Sequence, residues 1–303
     1  MRSMNGNGFL VLSLDLELMW GNTEEWTPNG YGRTHVAHVR EVVSRLLPLF
    51  DRYQVKATFA TVGLVMEDYK ADVGEVHISE KDAPLYFAPD VIRQLMDAPN
   101  VEIGCQTYSH YVCRGKDFSL ERFKEEIRKS VEAAAHYGIQ LKSVVFPRNA
   151  IQKECLAVCQ KYGMTAYRGN ARSLFPYRNL LEVYANRASR LIDTYLNISG
   201  NNSYALEKGD TPILNIPASR FLRPYSRLLF FLESLRFRRI RKEMEYAAKH
   251  GEVYHLWWHP HNFGADIDQN LCFLEKILKT YQRLHEQYGM ESVTMGELAH
   301  RSL

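Results

Sequence analysis

One pattern constrains this chain more than any other: short β-rich runs alternate with helix-spaced apolar stripes about seven times along it. Residues 9–16 read as a first strand. Val39, Val42, Val43, Leu46, Leu47 and Phe50 then recur at helical spacing. Strands are expected at 56–61, 101–104, 144–146, 165–167, 213–216, 253–258 and 292–295. Helices are expected at 88–96, over the stripe Leu120, Phe123, Ile127, Val131 and Ala134, up to Tyr162, and from Leu271 to Leu284. Gly138 and Gly163 stand where two of them should stop. Such alternation predicts a parallel β/α fold in a single domain spanning 1–303. A barrel fits best, because the chemically active residues cluster at strand C-terminal ends. The segments 69–84 and 170–211 read as loop-rich and are expected to serve the substrate.

Composition narrows the class. Hydrophobic residues make up 46% and charged residues 24% of 303, which excludes a disordered, collagenous or disulfide-scaffold chain. The net charge of +3 gives no reason to expect nucleic-acid binding. No apolar run reaches the ~18 residues of a membrane span, and residues 9–12 are too short for a signal core. Five cysteines (Cys105, Cys113, Cys155, Cys159 and Cys272) match no zinc-knuckle spacing. A reducing, cytoplasmic setting is expected, so the two glycosylation patterns at Asn197 and Asn201 read as chance.

Four segments carry the chemistry. Asp15 and Glu17 end the first strand and, at i and i+2, share a face. Two carboxylates so placed imply a metal, a shared proton or an exposed strand end. Gln106-Thr107-Tyr108-Ser109-His110 follows the strand at 101–104. Arg148 and Asn149 lie just past the strand at 144–146, where an arginine commonly anchors a carboxylate. His255, His259 and His261 fall within seven residues together with Trp257 and Trp258. Acids, an arginine and histidines thus meet at one end of different strands. Tyr108 is expected beside His110 in the same cleft. One of the two tryptophans should pack in the core and the other should face the site.

In this order, the segments resemble the polysaccharide deacetylase family (the NodB homology domain). Asp15-Leu16-Glu17 is similar to its first motif, Gln106 to His110 to its H-T-x-S-H motif, Phe146-Pro147-Arg148 to its arginine motif and Leu256 to His259 to its L-x-x-H motif. The resemblance spans about residues 8–298 and looks closest to a cytoplasmic branch associated with bacterial surface-polysaccharide genes. It implies a distorted (β/α)7 barrel and metal-dependent removal of an acetyl group from an amino sugar. It implies Asp15 as general base, Arg148 as its orienting partner and His259 as general acid. Glu17, His110 and position 106 would be metal ligands, and Asp193 an acid that tunes the histidine. Trp258, Tyr108, Asn149 and His261 are expected to bind substrate. A divalent ion suits this chemistry because it polarises the carbonyl and lowers the pKa of bound water. Zinc is the expected ion, and iron, cobalt and nickel accept the same donors.

Gln106 departs from the motif by replacing an imidazole with a weak neutral donor. That weakens or removes the metal site. His261 or His255 could substitute as the ligand. The alternatives are a metal-free C–N hydrolase using Asp15, Arg148 and His259, or a sugar-binding pseudoenzyme. A further feature is charge: residues 220–242 hold eight bases and one acid, a local +7. A basic amphipathic helix with a solvated face is one reading. The other is contact with an anion: a nucleotide-linked or lipid-linked sugar, or the inner membrane surface.

Overall fold

The structure, a computed structural model, describes residues 7–116, 118–172, 180–207 and 210–302. Eleven strands are β1 (Phe9–Leu16), β2 (Ala57–Thr61), β3 (Asp72–Val73), β4 (Val76–His77), β5 (Val101–Cys105), β6 (Ser143–Val144), β7 (Ala166–Gly169), β8 (Leu214–Pro217), β9 (Arg220–Phe221), β10 (Val253–Trp258) and β11 (Glu291–Val293). The helices are α1 (Val39–Arg52), α2 (Pro89–Met96), α3 (Leu120–His136), α4 (Lys153–Lys161), α5 (Leu180–Asp193), α6 (Glu233–His250), α7 (Ile267–Tyr288) and α8 (Met295–Ser302). β3 and β4 form a small hairpin; the other pairings between these strands are parallel, and Tyr204 adds an isolated antiparallel bridge to Val253.

The main sheet runs β8-β7-β6-β5-β2-β1-β10-β9, with β11 beside the start of β1. Its two ends belong to one extended segment. Leu214–Pro217 pairs with β7, and after only Ala218 and Ser219 the segment Arg220–Phe221 pairs with β10. Ala218 N donates to Gly169 O at 2.9 Å and Ser219 N to His255 O at 2.8 Å. The sheet therefore curls onto itself, and the distorted (β/α)7 barrel is the observed fold.

Alternation along β1 and β10 separates two environments. Leu10, Leu12, Leu14 and Leu16 face outward into the helix-covered core, as do Tyr254, Leu256 and Trp258. Val11 and Val253 face inward, where α8 plugs the bottom of the barrel with Met295, Leu298 and Ala299. Above that plug the interior becomes polar, layer by layer: Ser13 and His255, then Asp15 and Trp257, then Glu17 and His259.

The segment 170–211 departs from the loop-rich expectation, because it contains α5; residues 173–179 and 208–209 of it lie outside the described residues. The reason is an inverted helix. Its buried positions are Asn186, Ser189 and Asp193, while Tyr184, Leu191 and Ile192 are exposed. An apolar stripe turned outward gives no core-facing signal to read.

Candidate functional site

The site is built on the C-terminal ends of β1, β7 and β10 and on the turns that follow β5 and β6. Asp15 is buried and receives a two-pronged contact from Arg168: Nη1 donates to Oδ1 at 2.6 Å and Nη2 to Oδ2 at 2.7 Å. Both residues are almost fully shielded from solvent. Arg168 also donates to Ser13 Oγ at 3.2 Å and to Asn149 Oδ1 at 3.3 Å, and its guanidinium lies 4.1 Å over the Trp257 ring. Beneath it, His255 Nδ1 meets the carbonyl of Ile216 at 3.2 Å and so must donate there. His255 Nε2 therefore accepts the Ser13 hydroxyl proton at 2.8 Å. Burial first, then the Arg168 charge, push the His255 pKa down to about 3, which keeps the ring neutral.

Glu17 is the second buried carboxylate. Its Oε2 lies 3.1 Å from His110 Nε2 and accepts from Gln106 Nε2 at 3.1 Å. Its Oε1 lies 3.5 Å from His259 Nε2. Burial alone would raise its pKa. The charges that His259, His110 and His261 carry when protonated, together with the His110 hydrogen bond, hold it well below the usual carboxylate range. Gly21 makes this position possible, since a Cβ there would stand 2.2 Å from Glu17 Oε1.

His259 Nδ1 lies 3.0 Å from Asn262 Oδ1 and donates to it. Its Nε2 then faces Asp15 Oδ2 at 3.7 Å and Glu17 Oε1 at 3.5 Å. Three acceptors facing one another require a proton or a cation between them. His261 stacks on His259 with centroids 4.8 Å apart. Burial first, then the His259 charge, push its pKa down to about 3, so it too is a neutral donor. Donor atoms of Glu17, His259 and His261 all lie within 4.8 Å of one another. One carboxylate and two imidazoles are a donor set suited to zinc and its neighbours, and the residues present fit such an ion. Trp26 and Tyr31 wall this cluster, stacked on each other at 4.3 Å and edge-on to His261.

The turns around the mouth are strained. Leu18, Thr107, His110, Arg148 and Asn149 have φ between 49° and 60° without being glycine. Glu126 of α3 pins the turn that carries His110, accepting from Ser109 N and Ser109 Oγ, both at 2.7 Å.

Of the residues expected from sequence, Asp15, Glu17, Gln106, His110, Asn149, His259 and His261 come together here. Others do not. Arg148 is not the partner of Asp15; its guanidinium is largely exposed and lies 3.5 Å from Glu24. A left-handed backbone at Arg148 turns it out of the barrel, and Arg168 takes the inward place. Trp258 is fully buried on the outer face against Phe263, and Trp257 is the tryptophan that faces inward. Tyr108 packs over Gly63 and donates to Glu67 at 3.2 Å, lining a different surface depression. Asp193 does not reach the histidines; Arg220 and Arg239 hold it. Arg168 had a legible signal, a basic residue two places after Ala166 in a buried strand.

The polysaccharide deacetylase family model matches residues 30–167, just under half of the chain. No curated protein matches. A putative polysaccharide deacetylase from Mycobacterium smegmatis has a similar fold, with TM-score 0.65 at 14% identity over 99% of this chain and 93% of that one. A CE4 family pseudoenzyme from Bacillus anthracis gives TM-score 0.50 at 14% identity over 98% and 67%. A 4-alpha-glucanotransferase from Thermococcus litoralis gives 0.53 at 13% identity over 97% and 38%. Over residues 30–167 the chain is similar to the polysaccharide deacetylase family, and its fold is shared with these solved structures.

Proposed function

We propose that the chain hydrolyses the amide of an N-acylated amino sugar, most simply an acetamide, at the mouth of the barrel. The observation that carries this reading is the buried Asp15–Arg168 pair set directly beside the Glu17, His259 and His261 donors. Glu17, His259 and His261 would hold a divalent cation, zinc being the expected one. When bound, that ion polarises the amide carbonyl and acidifies a water. Asp15 accepts the proton of the attacking water. Arg168 holds both Asp15 oxygens in place. His110, on the far side of Glu17, is positioned to deliver a proton to the leaving nitrogen. These assignments exchange the roles of His110 and His259 relative to the motif order. The exchange follows from Gln106, whose amide N–H occupies Glu17 Oε2.

The test is amine release from N-acetylated amino sugars, read together with metal content in two variants. His110→Gln should lose activity and keep its metal, whereas His259→Gln should lose both. Metal loss in His110→Gln with retention in His259→Gln would restore the motif order. One observation favours a second reading, a sugar-binding pseudoenzyme: Gln106 Oε1 is buried without a partner while its nitrogen blocks Glu17. Absence of amine release in the wild type, with release restored in Gln106→His, would establish it. Release that survives a strong chelator would instead mark a metal-free hydrolase.

The finer reading is a cytoplasmic step in surface-polysaccharide assembly, within one domain over 1–303, on a nucleotide- or lipid-linked sugar. Its support is the basic segment 220–242 and its apolar tip, where Leu228, Phe230 and Phe231 are 85%, 61% and 63% exposed. Exposed Arg227 and Arg238 flank that tip, a pattern suited to an anionic membrane surface. Among the described residues no helix is long and apolar enough to cross a membrane. The basic segment is less solvated than its charge suggests, since Arg220, Arg236 and Arg239 are buried in ion pairs. Co-sedimentation with anionic liposomes at low salt tests the contact, and its absence there would refute it.

A further inference from the structure

A cleft of about 320 Å³ opens beside the site, lined by Trp257, His259, Phe221, Thr194 and Arg223, and by Asp193, whose charge Arg220 already meets. Its size lies within the ~300–1,000 Å³ of small-ligand pockets. Every other half-buried or buried guanidinium nearby already has its anion. Arg168 faces Asp15, Arg220 faces Asp193 and Glu243, Arg236 faces Glu233, and Arg239 faces Asp193. Arg223 differs. It is half-buried, and its one side-chain contact among the described residues is Nε to Thr194 Oγ1 at 3.1 Å, with no carboxylate.

Its surroundings are unfavourable for a lone cation. Burial first disfavours the charge; Tyr195 opposes this, and the charges of Arg190 and Arg220 add to it. The loop is nonetheless held in place, because Arg236 Nη1 donates to the carbonyls of Arg223 and Pro224. A desolvated, positioned and unpaired guanidinium at the end of a cleft is stabilised by an incoming anion.

We propose that this cleft is the subsite for an oxyanion carried by the amino sugar, with Arg223 as its charge partner and Phe221 and Trp257 against the sugar ring. The proposal rests on the reading of the barrel mouth as a site for sugar amides. The oxyanion is a phosphate in a nucleotide- or lipid-linked sugar, or the carboxylate of a uronic acid. Arg223 offers either one two parallel N–H donors. Arg223 thereby sets which sugars enter and takes no part in the chemistry.

The test uses sugars without an amide, so that binding is read apart from hydrolysis. Glucose 1-phosphate, glucuronate and neutral methyl glucoside are titrated calorimetrically into the wild type, Arg223→Gln and Lys249→Gln. At least one anionic sugar should bind about tenfold or more tightly than methyl glucoside, the size of one charge-assisted hydrogen bond. Arg223→Gln should erase that advantage, and Lys249→Gln, altered in the exposed last turn of α6, should keep it. A preference for glucose 1-phosphate points to a phosphate carrier, and one for glucuronate to a uronic acid. No anionic advantage in the wild type, including no binding of any of the three, overturns the proposal, as does an advantage that persists in Arg223→Gln. Failure of the hydrolase reading is seen separately, as absent amine release.

Discussion

Two buried arginine–carboxylate assemblies stand on either side of the cleft, and they differ in closure. Behind it, Asp193 and Glu243 are surrounded. Arg220 donates to Glu243 at 2.8 and 2.9 Å and to Asp193 at 2.8 Å, Arg239 adds to Asp193, and Tyr254 and Asn202 complete Glu243. At the mouth, Asp15 receives Arg168 on one edge, while its other edge faces His259 across 3.7 Å. The chemical groups are the same. The closed assembly has two cations for two anions and leaves no room for a reactant, so its work is to tie α5, β9 and α6 together. The open one leaves a held carboxylate with one edge turned toward His259. Closure, more than residue type, separates a structural ion pair from a reactive one.

The largest effects should divide along that line. Asp15→Asn should cut amine release by about 10²–10⁴-fold even in its folded fraction, and should also lower the unfolding midpoint, because it leaves buried Arg168 without its carboxylate. Glu243→Gln should act on stability alone, costing about 3–5 kcal/mol in denaturant unfolding while the folded fraction keeps its turnover. Equal losses of activity in both variants would erase the distinction.

The two tryptophans sharpen the same contrast. Trp258→Ala empties a core position and should cost about 3–5 kcal/mol. Trp257→Ala should chiefly raise KM for the sugar, because Trp257 lies under Arg168 and lines the cleft.

Acid titration gives a smaller, graded effect in the metal-free chain. The folded pKa of His255 and of His261 is about 3, below their ordinary 6.5. Their neutral burial stabilises the fold above pH 6.5, and this is lost as pH falls toward 3. Asp193 is lowered from 3.8 to about 2: burial opposes the shift, and the Arg220 charge and the Ser199 and Arg220 hydrogen bonds cause it. Its contribution is present above 3.8 and fades only toward 2. Urea unfolding from pH 7 to 3 should therefore show a slope that His255→Gln flattens and Asp193→Asn leaves unchanged above pH 4. The smallest effect belongs to Arg148→Gln, a largely exposed guanidinium, which should stay within about 0.5 kcal/mol and retain activity.

These assignments also show what was legible in the sequence. β1, β10 and their flanking helices were readable because one face of each is apolar at a fixed period. Alternation alone placed Asp15 with Glu17 on one face of the first strand. α5 was not readable, because its buried face is Asn186, Ser189 and Asp193. β9, two residues long, gains its meaning only by closing the barrel. The wrong arginine and the wrong tryptophan share one cause: proximity to a motif does not say which way a side chain points. At Arg148 a left-handed turn decides that; at Trp258, strand parity does.

The central claim is that Glu17, His259 and His261 form the working metal site despite Gln106. Its most direct test is metal stoichiometry by mass spectrometry on chain purified without chelator or affinity metal, in the wild type and in His261→Gln. About one equivalent of zinc, iron, cobalt or nickel in the wild type, lost in His261→Gln, is the predicted result. No bound metal in the wild type after supplementation, or an unchanged equivalent in His261→Gln, would contradict it.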